Sequence, residues 1–498
     1  MALYLSPTKM PFQRADDAVR SPSGYDPRPM PADGTRSLGL TSDPSEFMTD
    51  NAATDALSLL DDLLTRARRA GADAADALLA RGVSQSVSQR LGTPEAVERS
   101  EGRDVELRVF VGQRQAVVST TDFAAGSLDE LVGRALAMAK AAPEDKYAGI
   151  ADPGQIARSW PAIEMFDPTE PSAETLVERA KAAEEAALAV AGVTNSEGGE
   201  AAWGMTEVAL AASNGFAGTY RRSSFSIAAS VVAGTGQKME RDYDYTSAVY
   251  DADLKSAEEI GRSAGERAVR RLNPRRPKTA TLPVVYDPRA GRSVLGHLAS
   301  AINGTSIARG TSFLKNDMGE ALFAPGIRVM DDPHRPRGHR SKPFDGEGLA
   351  TRPRAMVEGG RLTSWFLDLA TARQLGLEST GHASRGAGSP PSPGSTNLYL
   401  DKGTVSRDAL IADIERGFYV TELMGSSVSL VTGDYSRGAA GYWIENGEIT
   451  FPVSEMTIAG HLRDIFRTLT PADDLEFKYG IDVPTLRVEG LLVAGGQD

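Results

Sequence analysis

The chain has 498 residues, enough for two or three domains with ample buried core, and its 41% hydrophobic and 24% charged fractions are those of a soluble globular protein. The formal net charge of −13 argues against DNA or an anionic lipid surface as the main partner, because no broad face would neutralise phosphates. The absence of cysteine excludes disulfides and thiolate chemistry, and no run of about 18 apolar residues offers a membrane-crossing helix.

Residues 1–47 carry Pro7, Pro11, Pro22, Pro27, Pro29, Pro31 and Pro44 and show no apolar period, which predicts a disordered extension. Met48 directly precedes patterned sequence and competes with Met1 as the natural start. No basic patch followed by an apolar core opens the chain, so a cytoplasmic location is expected. "DALSLLDDLLTRARRAG" places Leu57, Leu60, Leu64 and Ala67 on one helix face and stops at Gly71. "DVELRVFVGQRQAVVSTTDF" alternates, with a turn near Gly112 that predicts a hairpin. "SLDELVGRALAMAKAAP" reads as a helix with Ser127 and Glu130 as a capping box. "SAETLVERAKAAEEAALAV" is an amphipathic helix striped by Leu176, Ala180, Ala183, Ala187 and Val190. Asn214-Gly215 joins two strands, and "SAEEIGRSAGERAVRRLNP" is a helix with Ser256 and Glu259 as its box and Pro274 beyond its end.

The segment 273–283 reads as a linker, and the basic run Arg270 to Lys278 is a helix end rather than a nucleic-acid patch. Beyond it, glycine and serine are denser and short strands dominate. "GYWIENGEITFPV" is a hairpin turning at Asn446-Gly447. The expected class is therefore α+β: an N-terminal α/β sandwich-like region over 48–275, then a mainly β C-terminal domain with few helices over 276–498.

Without cysteine, a transition-metal site needs histidine and carboxylates, and the five histidines are His297, His334, His339, His382 and His461. His297 lies on a probable helix, but its neighbours one turn away, Ser293 and Ala301, cannot ligate; a local hydrogen bond is the expectation. The loop "MDDPHRPRGHRSKPFDGEG" gathers Asp331, Asp332, His334, His339, Asp345 and Glu347, but Arg335, Arg337 and Arg340 would repel a cation, so its carboxylates are expected to pair with those arginines. Residues 379–397 form a long polar loop suited to an extended peptide or an anion. Ser379 or Ser384 near His382 lacks the strand–serine–helix elbow of a hydrolase.

Three stretches carry a resemblance: "DPHRPRGHRSKPFDGEGLATRP", "LDLATARQLGLESTGHA" and, above all, "LVTGDYSRGAAGYWIENGEITFPVSEMTIAGHLRDIF". From about Met48 to its end the chain resembles the TldD/PmbA family. That resemblance implies two kinds of subunit. One is a zinc peptidase with His-Glu-x-x-x-His followed closely by Arg-Gly-Thr-Ser; the other, the PmbA or TldE kind, lacks the motif and pairs with the first. When Arg309-Gly-Thr-Ser312 is matched to that tetrapeptide, the three motif positions fall on Leu295, Gly296 and Ser300, which cannot hold zinc or activate water. The later cysteine ligand of the zinc subunit is also missing.

The resemblance thus implies the non-metallated subunit of a heterodimeric, cytoplasmic metallopeptidase for unfolded or modified peptides. No cofactor is expected in this chain, zinc is expected in the TldD-like partner, and neither nucleic acid nor membrane is a partner. Candidate substrate- or interface-binding residues are Arg309, Thr311, Asp345, Glu347, Thr380, Asn397, Asp434 and Arg437. The competing readings are an autonomous peptidase, a non-enzymatic peptide-binding adaptor, and a DNA-topology role suggested by the family's older label as a gyrase modulator.

Overall fold

A computed structural model describes residues 50–496. The expected disorder of 1–47 and the choice between Met1 and Met48 lie outside those residues. Helix α1 (Asp50–Arg69) leads into β1 (Ala74–Arg90), β2 (Thr93–Val111) and β3 (Arg114–Thr120). Helices α2 (Ala125–Ala141) and α3 (Ala173–Leu188) follow, then β4 (Val193–Ala212), β5 (Ala217–Ala233), β6 (Glu240–Ala248) and α4 (Ala257–Arg270). The six strands form one antiparallel sheet in the order β3-β2-β1-β4-β5-β6.

Strand alternation sends one residue set to each face. Ala75, Ala77, Leu79, Val105, Leu107 and Val109 receive α1 and α2, while Ile227, Ala229, Val231 and Ala233 receive α3 and α4. All four helices thus cover one face. Helices α3 and α4 approach closely through small residues: a Cβ at Gly261 would lie 1.9 Å from the Ala183 carbonyl oxygen. Ser256 caps α4 as expected by accepting from the Glu259 amide. The capping box at Ser127 is not formed. Helix α2 starts two residues earlier, and the Ser127 hydroxyl instead donates to Asp122 at 2.6 Å.

The second half runs β7 (Ala280–Tyr286), α5 (Pro288–Ala301), α6 (Gly304–Ala308), β8 (Val329–Asp331), β9 (Arg354–Glu358), β10 (Arg361–Leu362) and α7 (Leu369–Leu375). It continues with β11 (Ala383–Ser384), β12 (Ser392–Pro393), β13 (Leu398–Leu400), α8 (Arg407–Ile411), β14 (Arg416–Val428), β15 (Asp434–Glu445) and β16 (Glu448–His461). Helix α9 (Leu462–Thr468), β17 (Thr470–Pro471), β18 (Ile481–Asp482) and β19 (Leu486–Ala494) complete it. Strands β16-β15-β14-β7-β19 form a sheet that β16 closes onto β19, making a small barrel around Val284, Phe418, Ala439, Ile458 and Val488. The sequence Asn446-Gly447 turns β15 into β16 with both φ angles positive, as its chemistry requires. Helix α5 packs on this core, and the five-stranded sheet β10-β9-β8-β13-β18 flanks it. The chain is α+β with a mainly β C-terminal part.

The helix-free face of the first sheet meets the second half of the chain through two patches. One is apolar: the Phe344 ring is 4.9 Å from Trp160 and 5.0 Å from Phe216, both at steep edge angles. The other is ionic and sealed from water. Arg108 Nε donates to Asp76 at 3.0 Å, Arg385 Nη1 is 2.6 Å from Asp76, and Arg385 Nε donates to Glu106 at 2.6 Å. Asp76, Glu106 and Arg108 are 3%, 0% and 4% exposed. Burial opposes ionisation of Asp76, but the Arg108 and Arg385 charges prevail and hold it below its ordinary pKa. Removing one member strands a charge in a dry interior. Arg385→Met should therefore lower unfolding stability in urea by about 3–5 kcal/mol; a loss under about 1 kcal/mol would show that the seam does not bind the halves together.

Candidate functional site

Asp287 caps α5 by accepting from the Arg289 amide at 2.9 Å, and Pro288 opens its first turn. The helix buries Ala290, Val294, Leu295, Leu298 and Ala301. Leu295 is 2% exposed in the core, Gly296 faces open space, and the exposed Ser300 hydroxyl turns back to the Gly296 carbonyl at 3.0 Å. A divalent ion needs several nitrogen or oxygen donors converging on one point. These three residues supply one hydroxyl, already engaged, and among the described residues no group of three or more His, Asp or Glu is placed to hold a metal ion. These three α5 positions do not offer a catalytic zinc its ligands.

The eight candidate residues separate into two groups. Arg309 and Thr311 are exposed in the loop after α6, where Gly310 takes a positive φ of 68°. Phe313, two residues on, donates its amide to the Leu430 carbonyl at 2.8 Å and so ties this loop to the far end of the β14–β15 hairpin. Asp434 is exposed at that end, with Thr432 donating to it at 2.6 Å, and Arg437 is half-buried one turn of the strand further in. His461 caps α9 and holds the Thr432 carbonyl at 2.8 Å. The hairpin end itself presents Met424 and Val431, 42% and 62% exposed.

Asp345, Glu347, Thr380 and Asn397 lie elsewhere in the second half, with their polar atoms engaged by the protein, and of the four Glu347 faces the seam. Asp345 accepts from the amides of Glu347, Leu349 and Ala383. Glu347 accepts from the Leu369 amide at 2.8 Å and faces Arg108 at 3.8 Å. Asn397 accepts from the Arg340 amide and donates to the Asp332 carbonyl. Thr380 contacts His382 Nδ1 at 2.8 Å, and His382 Nε2 contacts Asp331 at 3.1 Å. With both ring nitrogens engaged and 2% exposure, His382 has no nitrogen left to activate Ser379 or Ser384.

Two expectations are corrected here. The carboxylates of the 331–347 loop do not pair with its own arginines: Arg337 reaches Glu164 and Asp253, and Arg335 lies over the Phe477 ring, whereas Asp331 takes His382 and Glu347 faces Arg108. Distance along the chain is no guide to pairing when two layers fold together. His297 makes no local hydrogen bond either; its Nε2 is buried without a partner, and its ring stands 6.0 Å from Tyr435. Burial first, then the Arg437 charge, push its pKa down to about 4. The seam residues Asp76, Glu106 and Arg108 escaped the sequence reading. The signal was charge at alternate positions inside otherwise apolar strands, which marks a polar but buried second face.

Three models describing PmbA/TldA metallopeptidases match this chain: domain 1 over residues 75–139, the central domain over 166–272 and the C-terminal domain over 279–495. The chain is 35% identical over 425 residues to the Escherichia coli O157:H7 protein named metalloprotease PmbA, covering 85% of this chain and 92% of that one. A crystal structure from Bacteroides thetaiotaomicron, whose name links it to modulation of DNA gyrase, superposes with a TM-score of 0.83 at 27% identity, over 90% of this chain and all of that one. The structure named TldE from Thermococcus kodakarensis has a TM-score of 0.79 at 21% identity, covering 88% and 100%, and shows the shared fold.

Glu347 generates a pH prediction. Burial pushes it up to about 8, with Asp345 and Asp368 adding to the shift and Arg108 opposing it. The folded state therefore holds a proton that the unfolded chain releases near its ordinary value, so this group's contribution to stability is present at low pH and is lost as pH rises toward 8. Glu347→Gln, which mimics the protonated form, should match the parent in Tm at pH 5 and exceed it progressively up to pH 8.5. Parallel Tm curves for the two proteins across that range would contradict the assignment.

Proposed function

This chain belongs to the PmbA/TldD metallopeptidase family, and we propose that it is the metal-free subunit of a two-subunit, TldD/TldE-like cytoplasmic peptidase acting on unfolded or modified peptides. The observation that carries this reading is the face of α5, where Leu295, Gly296 and Ser300 stand in place of two metal-binding histidines and a general-base glutamate. Zinc and the water it activates belong, in this reading, to the TldD-like partner.

The chain's own contribution is a docking face and one wall of the substrate chamber. Beyond Val420, β14 pairs with β15 alone, so among the described residues the other edge of 423–428 has no strand partner. An extended peptide added there would be held through its backbone, with little demand on sequence. Arg309, Thr311, Asp434 and Arg437 surround that end of the hairpin and are the proposed contacts. Asp345, Glu347, Thr380 and Asn397 act one step back, by fixing the loops that carry the wall. Met424 and Val431 are apolar and exposed, as an interface core would be before its partner docks.

The test mixes the purified chain with a TldD-like zinc subunit from the same genome and follows cleavage of a denatured protein substrate. Turnover is expected only with both chains present. Cleavage by this chain alone would overturn the reading in favour of an autonomous peptidase, and peptide binding without any association with the zinc subunit would overturn it in favour of an adaptor. The double variant Met424→Asp, Val431→Asp should weaken association with the zinc subunit at least about tenfold, because it puts charge into an apolar contact; an unchanged Kd would remove the hairpin end from the interface.

A further inference from the structure

Strand β2 uses its two edges unequally. Along one edge it pairs with β1 over its whole length, from Thr93 opposite Arg90 to Phe110 opposite Ala74. Along the other it meets β3 only from Val105, opposite Thr120, to Val111, opposite Arg114. The outer edge of 93–104 therefore has no strand partner, and among the described residues no hydrogen bond from another element reaches its backbone. Every residue from 97 to 103 is exposed, so this stretch is bare on both faces as well as along its edge. Val97 is 55% exposed.

An open edge is a row of unpaired N–H and C=O groups, and proteins guard such rows with proline, bulges and lysine. Here the guards stand only at the tip. Pro94 and a shift in pairing between Ser88 and Gln89 interrupt the end of the β1–β2 hairpin. From Ala96, opposite Ser88, to Asp104, opposite Ala80, the ladder runs without a shift. That regular segment holds no proline and no lysine, and its charges are of both signs: Glu98, Arg99, Glu101, Arg103 and Asp104. An occupant must supply extended backbone and charges in the complementary order.

The segment is complementary to itself. Two identical strands related by a two-fold axis pair antiparallel, and one residue must sit on the axis, because successive pairs alternate between two kinds. An axis at Glu98, Arg99 or Glu101 sets a charge against its own copy. An axis nearer either end pairs only part of the segment. An axis at Ser100 pairs all of it, Ala96 against Asp104 of the second copy, with no like charges opposed. It sets Arg99 against Glu101 of the second copy, and the reverse, Glu98 against Gly102, and Val97 against the stem of Arg103. Arg99 Nε already donates to Glu101 of its own chain at 3.0 Å, so both charges lie on one face of the strand. The second copy presents the same two charges there in reverse order.

We propose that the outer edge of β2 is a self-association surface: residues 96–104 of two copies of this chain pair antiparallel about an axis at Ser100 and join two six-stranded sheets into one. The pairing covers the exposed Val97 and closes the one long edge that the sheet leaves open beside β3. It does not rest on the function proposed above. The hairpin end with Met424 and Val431 belongs to the other half of the chain, so self-pairing and docking of a zinc subunit use different surfaces. Together they build an assembly with two chains of each kind.

The chain has no cysteine, so a single introduced one reports on its neighbour. Ser100→Cys should give a disulfide-linked dimer under mild oxidation, because facing Cβ atoms of paired strands lie about 5 Å apart. Glu98→Cys is the control: it is equally exposed, but its own copy would lie about 13 Å away, four residues along the strand. Sedimentation of the full chain at about 100 µM, a concentration that populates even a small interface, should show the dimer. Arg99→Glu should raise the dimer Kd at least about tenfold by opposing like charges twice. Adding Glu101→Arg to it should restore association. These positions are exposed, so the variants should keep the parent's Tm. A monomer at that concentration, equal linking of the two cysteine variants, or a dimer indifferent to Arg99→Glu would overturn the proposal. A monomer that loses its hold on a zinc subunit in Arg99→Glu would assign the edge to that subunit and overturn it too. Self-association is measured without the zinc subunit, so it and the proposed function fail separately.

Discussion

Two arginines and two carboxylates held away from water, with the protonated Glu347 beside them, join the halves of this protein. Asp76, Glu106 and Arg108 project from the helix-free face of the first sheet, and Arg385 and Glu347 come from loops of the second half. None of the four charged groups could be left in that interior alone, because an isolated buried charge costs several kcal/mol. The arrangement is thus satisfied only when all parts are present, which makes the relative position of the halves close to all-or-none. Glu106 also accepts from the backbone amides of Gly388 and Ser389, so the long loop 379–397 is clamped along its middle. The β11–β12 hairpin inside that loop and the Asp331–His382–Thr380 chain behind it extend the same restraint toward β8 and β13.

With its loops fixed from behind, the second half presents α5, the loop after α6 and the end of the β14–β15 hairpin as a composed surface. What that surface offers is uneven. Toward solvent, α5 shows a glycine and a self-bonded serine. Toward the barrel, the same helix places the buried, unpartnered Nε2 of His297 near the Tyr435 ring.

The sequence made much of this legible. Helix positions followed from apolar stripes that the fold buries, as at Leu60, Leu64 and Ala67 or Leu176, Ala180 and Ala183, and the two Asn-Gly turns fell where expected. The residues at the three motif positions, Leu295, Gly296 and Ser300, are read directly from the chain, because motif positions are local. The seam was not readable, for a physical reason. Arg108 and Arg385 are far apart in sequence, and whether a charged residue in a strand faces water or another layer is decided only when the layers meet. The same holds for the 331–347 loop, whose carboxylates found partners outside their own segment. Local chemistry could be inferred; which of two buried layers would neutralise it could not. Half of the candidate binding residues are instead spent on hydrogen bonds inside the second half, with Glu347 also facing Arg108, and the other half gathered at the exposed end of the hairpin.

The account depends on α5 and its surroundings being unable to grip a catalytic divalent ion. The most direct measurement is the metal content of the isolated full chain after equilibration with excess zinc and removal of free metal. The account predicts zinc far below one ion per chain and no loss of fold on treatment with a chelator. One tightly held zinc per chain, released only with loss of peptide turnover by this chain alone, would contradict it.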